Sequence, residues 1–180
     1  MRDHEVIRYL LLRNGITCGE LFPAGSAPVL TMDRSGEIKM SMQGEFLADA
    51  IDTRGLTIQR YTPETIAAFR DDDRFSDAYG FCESAPDMLG VAALRGGKIL
   101  GMAGASADSP LMWQIGINVL PEARGRGVAA MLVSLLRNDV LAAGRLPYYG
   151  TSVSHLESQR VALRAGFLPA WFELVAATMG

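Results

Sequence analysis

Only two cysteines occur in the chain, Cys18 and Cys82, far apart and in no Cys-x-x-Cys pair, so neither a disulfide framework nor a zinc site can be read from them. A reducing, cytoplasmic setting fits that scarcity, and no metal is expected. Positive charge is also thin: 17 Lys and Arg against 20 Asp and Glu give a formal charge of -3, with no basic stripe to neutralise a phosphate backbone. Nucleic acid is therefore not an expected partner. Every apolar stretch is broken by Gly, Pro or charge well short of a bilayer span, and Met1 to Glu5 carry mixed charge without the apolar segment of an export signal. The expectation is neither a membrane protein nor a secreted one. What is present is ordinary globular material, 180 residues at 49% hydrophobic and 21% charged, enough for one domain with a modest extension.

Apolar spacing at Val6, Ile7, Leu10 and Leu11 predicts a helix over Asp3 to Arg13, stopped by Asn14-Gly15. Val29 to Met42 reads as two strands hinged at Asp33 to Gly36, so residues 1–55 form a helix-plus-hairpin extension expected to pack on the core or to join a homodimer. From Leu56 the order becomes mixed α/β. Leu56 to Tyr61 alternates as a strand, and Thr62-Pro63 launches a helix over Glu64 to Arg70. Met88 to Leu94 and Lys98 to Ala105 form an antiparallel pair across Gly96-Gly97, and Met112 to Leu120 is the next strand. Val128 to Ala143 carries one apolar stripe and ends at Gly144, followed by a strand from Tyr148 to Val153 parallel to the one before. Ser154-x-x-Glu157 has the form of a capping box, opening a helix that Gly166 stops, and Phe167 to Ala177 closes the sheet.

The chemistry concentrates in Val119-Leu120-Pro121-Glu122-Ala123-Arg124-Gly125-Arg126-Gly127-Val128-Ala129, where a strand meets a helix. A helix start offers unpaired amides whose aligned dipoles attract anions. Gly125 and Gly127 put no Cβ in the way of a phosphate, and Arg124 and Arg126 add cationic donors. The same residues would also serve a tight solvated turn with no ligand. The lack of Gly-x-x-x-x-Gly-Lys-Ser/Thr counts against a nucleotide-hydrolysing P-loop, and a dinucleotide fingerprint usually follows the first strand of its fold rather than a later one, so both lose ground.

Arg124, Gly127 and Ala129, preceded by Val-x-Pro-Glu, resemble the Arg/Gln-x-x-Gly-x-Gly/Ala motif of the GCN5-related N-acetyltransferase (GNAT) family, and Ser158 to Gly166-Phe167 resembles the family's second motif. The resemblance spans roughly Leu56 to Thr178, so residues 56–180 are expected to be one acetyltransferase domain. It implies an α/β fold: a mixed, mostly antiparallel sheet flanked by helices and splayed between the fourth and fifth core strands, with acetyl-CoA in the gap. Backbone groups of Ile117 and Val119 would then pair with pantetheine, amides of Arg124, Gly125, Arg126, Gly127, Val128 and Ala129 would hold the diphosphate, and Ser158 would border the cosubstrate. The implied activity is acetyl transfer to an amine, small molecule or peptide, by direct attack.

Two positions depart from the family pattern. His155 stands where Asn is common, and Ala162 where a Tyr often sits beside the CoA sulfur. The usual proton donor is thus missing, which makes a non-catalytic acyl-CoA sensor or scaffold the alternative. His155 can replace the donor, because imidazole titrates near neutrality, or it can be a solvated helix start. Tyr148 and Tyr149 point to opposite faces of their strand, so one can reach the cleft while the other packs, and Tyr149 is a second candidate donor. Asp71, Asp72 and Asp73 either face a cationic acceptor or open the next helix.

Overall fold

In the computed structural model the described residues are 36–42, 53, 55–152 and 154–174, with 36–42 and 171–174 described by their backbone. The helix expected over Asp3 to Arg13 and the first half of the expected hairpin lie outside them. Among the described residues seven strands form one sheet: β1 (Gly36–Met42), β2 (Thr57–Tyr61), β3 (Asp87–Arg95), β4 (Lys98–Ser106), β5 (Met112–Val119), β6 (Leu146–Ser152) and β7 (Phe167–Leu174). Their order is β2-β3-β4-β5-β6-β1-β7. Every neighbouring pair is antiparallel except β5 and β6, which are parallel. β1, the second half of the expected hairpin, lies between β6 and β7, and both its edges are occupied over Glu37 to Met40. Its place beside β6 rests on long-range pairing that alternation cannot reveal.

Helix α1 (Pro63–Ile66) is shorter than expected and passes into a 3-10 turn over Ala67–Phe69. That turn delivers Phe69 to the rings of Tyr61, Phe75 and Tyr79, at centroid separations of 5.1, 6.0 and 5.9 Å. Helix α2 (Val128–Ala142) matches its expected span, and Gly144 follows it with φ 71°. Its apolar stripe buries Val128, Met131, Leu132, Leu136 and Val140 against Val91, Ala103 and Ile115 of the sheet. Full burial of each large aliphatic side chain there stabilises by about 1.5–3 kcal/mol. Gly96 and Gly97, at φ 57° and 80°, make the two-residue turn that fixes the β3–β4 register.

Helix α3 (Leu156–Arg164) begins later than the capping box requires. His155 is the N-cap and makes no side-chain cap, while the Ser154 hydroxyl lies 3.0 Å from that of Ser152. The box therefore does not form. The local bonds go to β6 instead: the His155 amide and Gln159 Nε2 both donate to the Ser152 carbonyl, at 3.0 and 3.2 Å.

The face of the sheet away from α2 is lined by a row of glycines, Gly90, Gly104 and Gly116, paired with one another across β3, β4 and β5. The chain from Asp77 to Tyr79 lies directly on this row. A Cβ on Gly116 or Gly104 would overlap the carbonyls of Asp77 and Ala78, and one on Gly90 would overlap the Tyr79 phenol. Asn118 pins the same segment, accepting from the Asp77 and Ala78 amides at 2.9 and 2.8 Å and donating to the Asp77 carboxylate at 2.8 Å. Asp87 holds the following loop through the amides of Gly80 and Phe81, at 3.3 and 2.9 Å.

Candidate active site

Strands β5 and β6 pair only at Met112–Leu146, Trp113–Pro147 and Gln114–Tyr148. Beyond that rung they part, so Ile115 to Val119 has β4 on one side and a gap on the other. The direction of the peptide groups follows from one bond. The Leu120 amide donates to the Leu100 carbonyl of β4 at 2.9 Å, and because successive peptide groups of a strand alternate, those of Ile117 and Val119 face the gap. The Val119 carbonyl accepts from Arg124 Nε at 3.1 Å, which leaves its second lone pair for another donor.

The open end of the gap leads to the turn before α2. Pro121–Ala123 forms a 3-10 turn, then Gly125 and Gly127 adopt φ 72° and 76°. Space is open around Gly125, so glycine is needed there for backbone angle rather than for room. Gly127 is the N-cap of α2 and has no side chain to cap the helix, and the first bond of the helix runs from the Met131 amide to the Gly127 carbonyl at 3.1 Å. The amides of Val128, Ala129 and Ala130 thus have no partner within the helix. Arg124 and Arg126 are exposed beside them. These groups suit a diphosphate, and the outward peptide groups of β5 suit a chain of amides running into the gap. Acetyl-CoA carries both.

At the closed end the two tyrosines of β6 point to opposite faces. Tyr149 is buried among α2 and α3 residues, with its hydroxyl 2.9 Å from Ser158 Oγ of α3. Burial raises its pKa above the usual phenol value, with the Asp77 carboxylate adding to the rise and the Ser158 bond opposing it. Ala162, fully buried, lies one helical turn after Ser158. Tyr148 faces the other way, its hydroxyl donating to Asp108 and lying 3.0 Å from Gln114 Oε1. His155 is exposed at the start of α3. Val153 lies outside the described residues. Asp72 caps the 3-10 turn Asp73–Phe75 and pairs with Arg74 at 2.7 Å, so its carboxylate opens a turn.

Sequence reasoning placed the turn and named Tyr149 and Ser158 separately, but missed their contact. It also missed the Asn118–Asp77 pin and the grouping of Asp108 with Tyr148. These depend on strand register and on contacts spanning 34 to 41 residues, for which local pattern carries no signal. Among the described residues no helix is long and apolar enough to cross a membrane.

Comparison with known proteins agrees with this geometry. The family model described as acetyltransferase (GNAT) family matches residues 56–167. No curated protein matches the chain. A GNAT-family protein from Novosphingobium aromaticivorans superposes with a TM-score of 0.60 at 19% identity, covering 77% of this chain and 61% of its own. A GCN5-related N-acetyltransferase-like protein from Streptococcus suis gives 0.54 at 14% identity, with coverage of 77% and 61%. The chain thus spans about three-fifths of the length of these two structures. An aminoglycoside N-acetyltransferase in complex with a bisubstrate analogue of CoA and monomethyl-acetylneamine gives 0.51 at 23% identity, covering 69% of this chain and 97% of its own.

Proposed function

Because the chain belongs to the acetyltransferase (GNAT) family, whose enzymes depend on acetyl-CoA, we propose that it transfers an acetyl group from acetyl-CoA to an amine of a small molecule or peptide by direct attack. The observation that carries this reading is the continuity of the site: peptide groups of Ile117 and Val119 turned into the β5–β6 gap, leading to an uncapped helix start between Gly125 and Ala129. In that arrangement the amides from Gly125 to Ala129 hold the diphosphate, and the Arg124 and Arg126 side chains add charge. Contrary to expectation the Arg124 amide does not join them, because it is engaged by the Pro121 carbonyl at 3.3 Å. The β5 peptide groups align the pantetheine and polarise the thioester carbonyl, so that positioning and electrostatics do most of the work. Bound acetyl-CoA supplies the activated thioester.

Tyr149 is the better-supported proton donor for the leaving thiolate. Its buried hydroxyl is held by Ser158 and stays protonated well above neutral pH, whereas His155 is exposed with no side-chain cap. A small residue at Ala162 keeps the helix from filling the same space, so the phenol comes from the strand rather than from the helix. The second reading, a CoA-binding module without catalysis, draws on the same Ala162. Calorimetry with acetyl-CoA, followed by thiol-release assays with aminoglycoside, polyamine and peptide amines, separates the two. Binding with turnover of any amine supports transfer, binding with none supports the module, and no binding refutes both.

A further inference from the structure

Among the described residues one buried side-chain oxygen has no hydrogen-bond partner in the protein, the hydroxyl of Thr151. Thr151 is 5% exposed and stands two residues after Tyr149 on β6, so its side chain leaves the strand on the same face, the one covered by α2 and α3. A strand packed under helices suits a β-branched residue, and valine has the shape of threonine without the hydroxyl. Packing alone therefore gives no reason for the oxygen. Buried polar groups are almost always bonded, and leaving one unbonded costs free energy, so Thr151 marks a place where a partner arrives from outside the chain.

The position of the hydroxyl indicates which partner. Carried three residues past the Gln114–Tyr148 rung, the parallel register of β5 and β6 sets Thr151 level with Ile117. Ile117 turns a peptide group into the gap from the β5 wall, and its side chain packs on the same core as Tyr149. The other edge of β6 at Thr151 is taken by Ile38 of β1, so an incoming group reaches Thr151 from the gap. Tyr149 stands two residues nearer the closed end, about 7 Å back along the strand. A hydroxyl both donates and accepts, and so does an amide, so the two match in either direction. We infer, on the acetyl-transfer reading above, that Thr151 is a binding residue for the pantetheine arm of acetyl-CoA, its hydroxyl bonding the amide nearest the sulfur from the wall opposite Ile117. The sulfur, two methylene carbons from that amide, then lies toward Tyr149. The polar groups of the arm are met from both walls, by peptide groups on β5 and by a side chain on β6. Because the hydroxyl is unbonded until the arm is in place, one oxygen lowers the stability of the free protein and raises its affinity for acetyl-CoA.

The test uses the full chain, with calorimetry against acetyl-CoA and thermal unfolding of the free protein. Thr151→Val should melt roughly 2–4 °C higher than wild type when free, yet bind acetyl-CoA roughly tenfold more weakly. Thr151→Ser keeps the hydroxyl and should bind acetyl-CoA within about threefold of wild type. A second probe, an acetyl-CoA analogue with methylene carbons in place of the amide nearest the sulfur, locates the contact. Wild type and Thr151→Val should bind this analogue equally, since the partner of the hydroxyl is gone. A gap between them that persists with the analogue would put the hydroxyl against another part of the ligand and overturn the assignment to that amide. A Thr151→Val variant that melts lower than wild type would show that the hydroxyl already has a partner in the fold. One that binds acetyl-CoA as wild type does would show that acetyl-CoA is not the partner. Either result overturns the inference and leaves the acetyl-transfer reading standing, whereas a wild type that binds no acetyl-CoA removes that reading itself.

Discussion

The open end of the β5–β6 gap is made of backbone, and the closed end is made of side chains. At the open end the relevant groups are the peptides of Ile117 and Val119 and the amides that follow Gly127, so side-chain identity matters mainly where glycine permits a positive φ. At the closed end Tyr149 meets Ser158 across 9 positions, and Tyr148 meets Asp108 across 40. A backbone site survives most substitutions and fails at its glycines. A side-chain site fails at any one member.

The largest effect should come from Gly127→Glu. The new side chain is strained at φ 76° and brings a carboxylate to the anion site. Loss of two charge-assisted hydrogen bonds costs about 3 kcal/mol or more, roughly a hundredfold in acetyl-CoA affinity by calorimetry. Unchanged affinity in a folded variant would erase the distinction between the two ends. At the closed end, Tyr149→Phe should lower turnover by a factor on the order of a hundred with nearly unchanged acetyl-CoA affinity, since only a transition-state interaction is lost. His155→Ala should change turnover by no more than about twofold on the same reading. A large loss with His155→Ala and none with Tyr149→Phe would move the acid to the start of α3.

Asn118→Ala should act on stability. It strips the acceptor from the amides of Asp77 and Ala78, and thermal or urea unfolding should show a loss of about 2–3 kcal/mol. The smallest effect concerns alkali. Burial raises the pKa values of Tyr61, Tyr79 and Tyr149, so the folded state binds their protons more tightly than the unfolded chain does. Stability from these phenols is complete below the ordinary phenol range, near pH ~10, and declines as pH rises through and above it. Melting temperature against pH, with tyrosinate absorbance followed in parallel, should show ionisation lagging that of free tyrosine.

The two ends also differ in how far the sequence reveals them. Gly125, Gly127 and the stripe of α2 announce the open end, because a helix start and its glycines are local features. Gly96-Gly97 announces the β3–β4 hairpin for the same reason. The position of β1 between β6 and β7 is a matter of strand order, set by pairing across more than a hundred residues, and it has no local signature. The start of α3 shifted because Ser154 found Ser152, a competition between two short polar side chains that spacing alone does not resolve. The tyrosines of β6 were visible as a pair facing two ways, but their partners come from α3, from β5 and from the turn before it.

The glycine row across β3, β4 and β5 sets a height. With no side chains beneath it, the segment carrying Asp77 lies as close to the sheet as backbone can, and Asn118 keeps it there. A methyl group added at Gly104 or Gly116 would run into the backbone carbonyl of Ala78 or Asp77, so it would force the segment off the sheet and strain its bonds to Asn118. The row therefore works as a fixed stop rather than a dial: what a methyl group would meet is backbone that is itself held by Asn118, so the height of the segment is set once, by the absence of side chains.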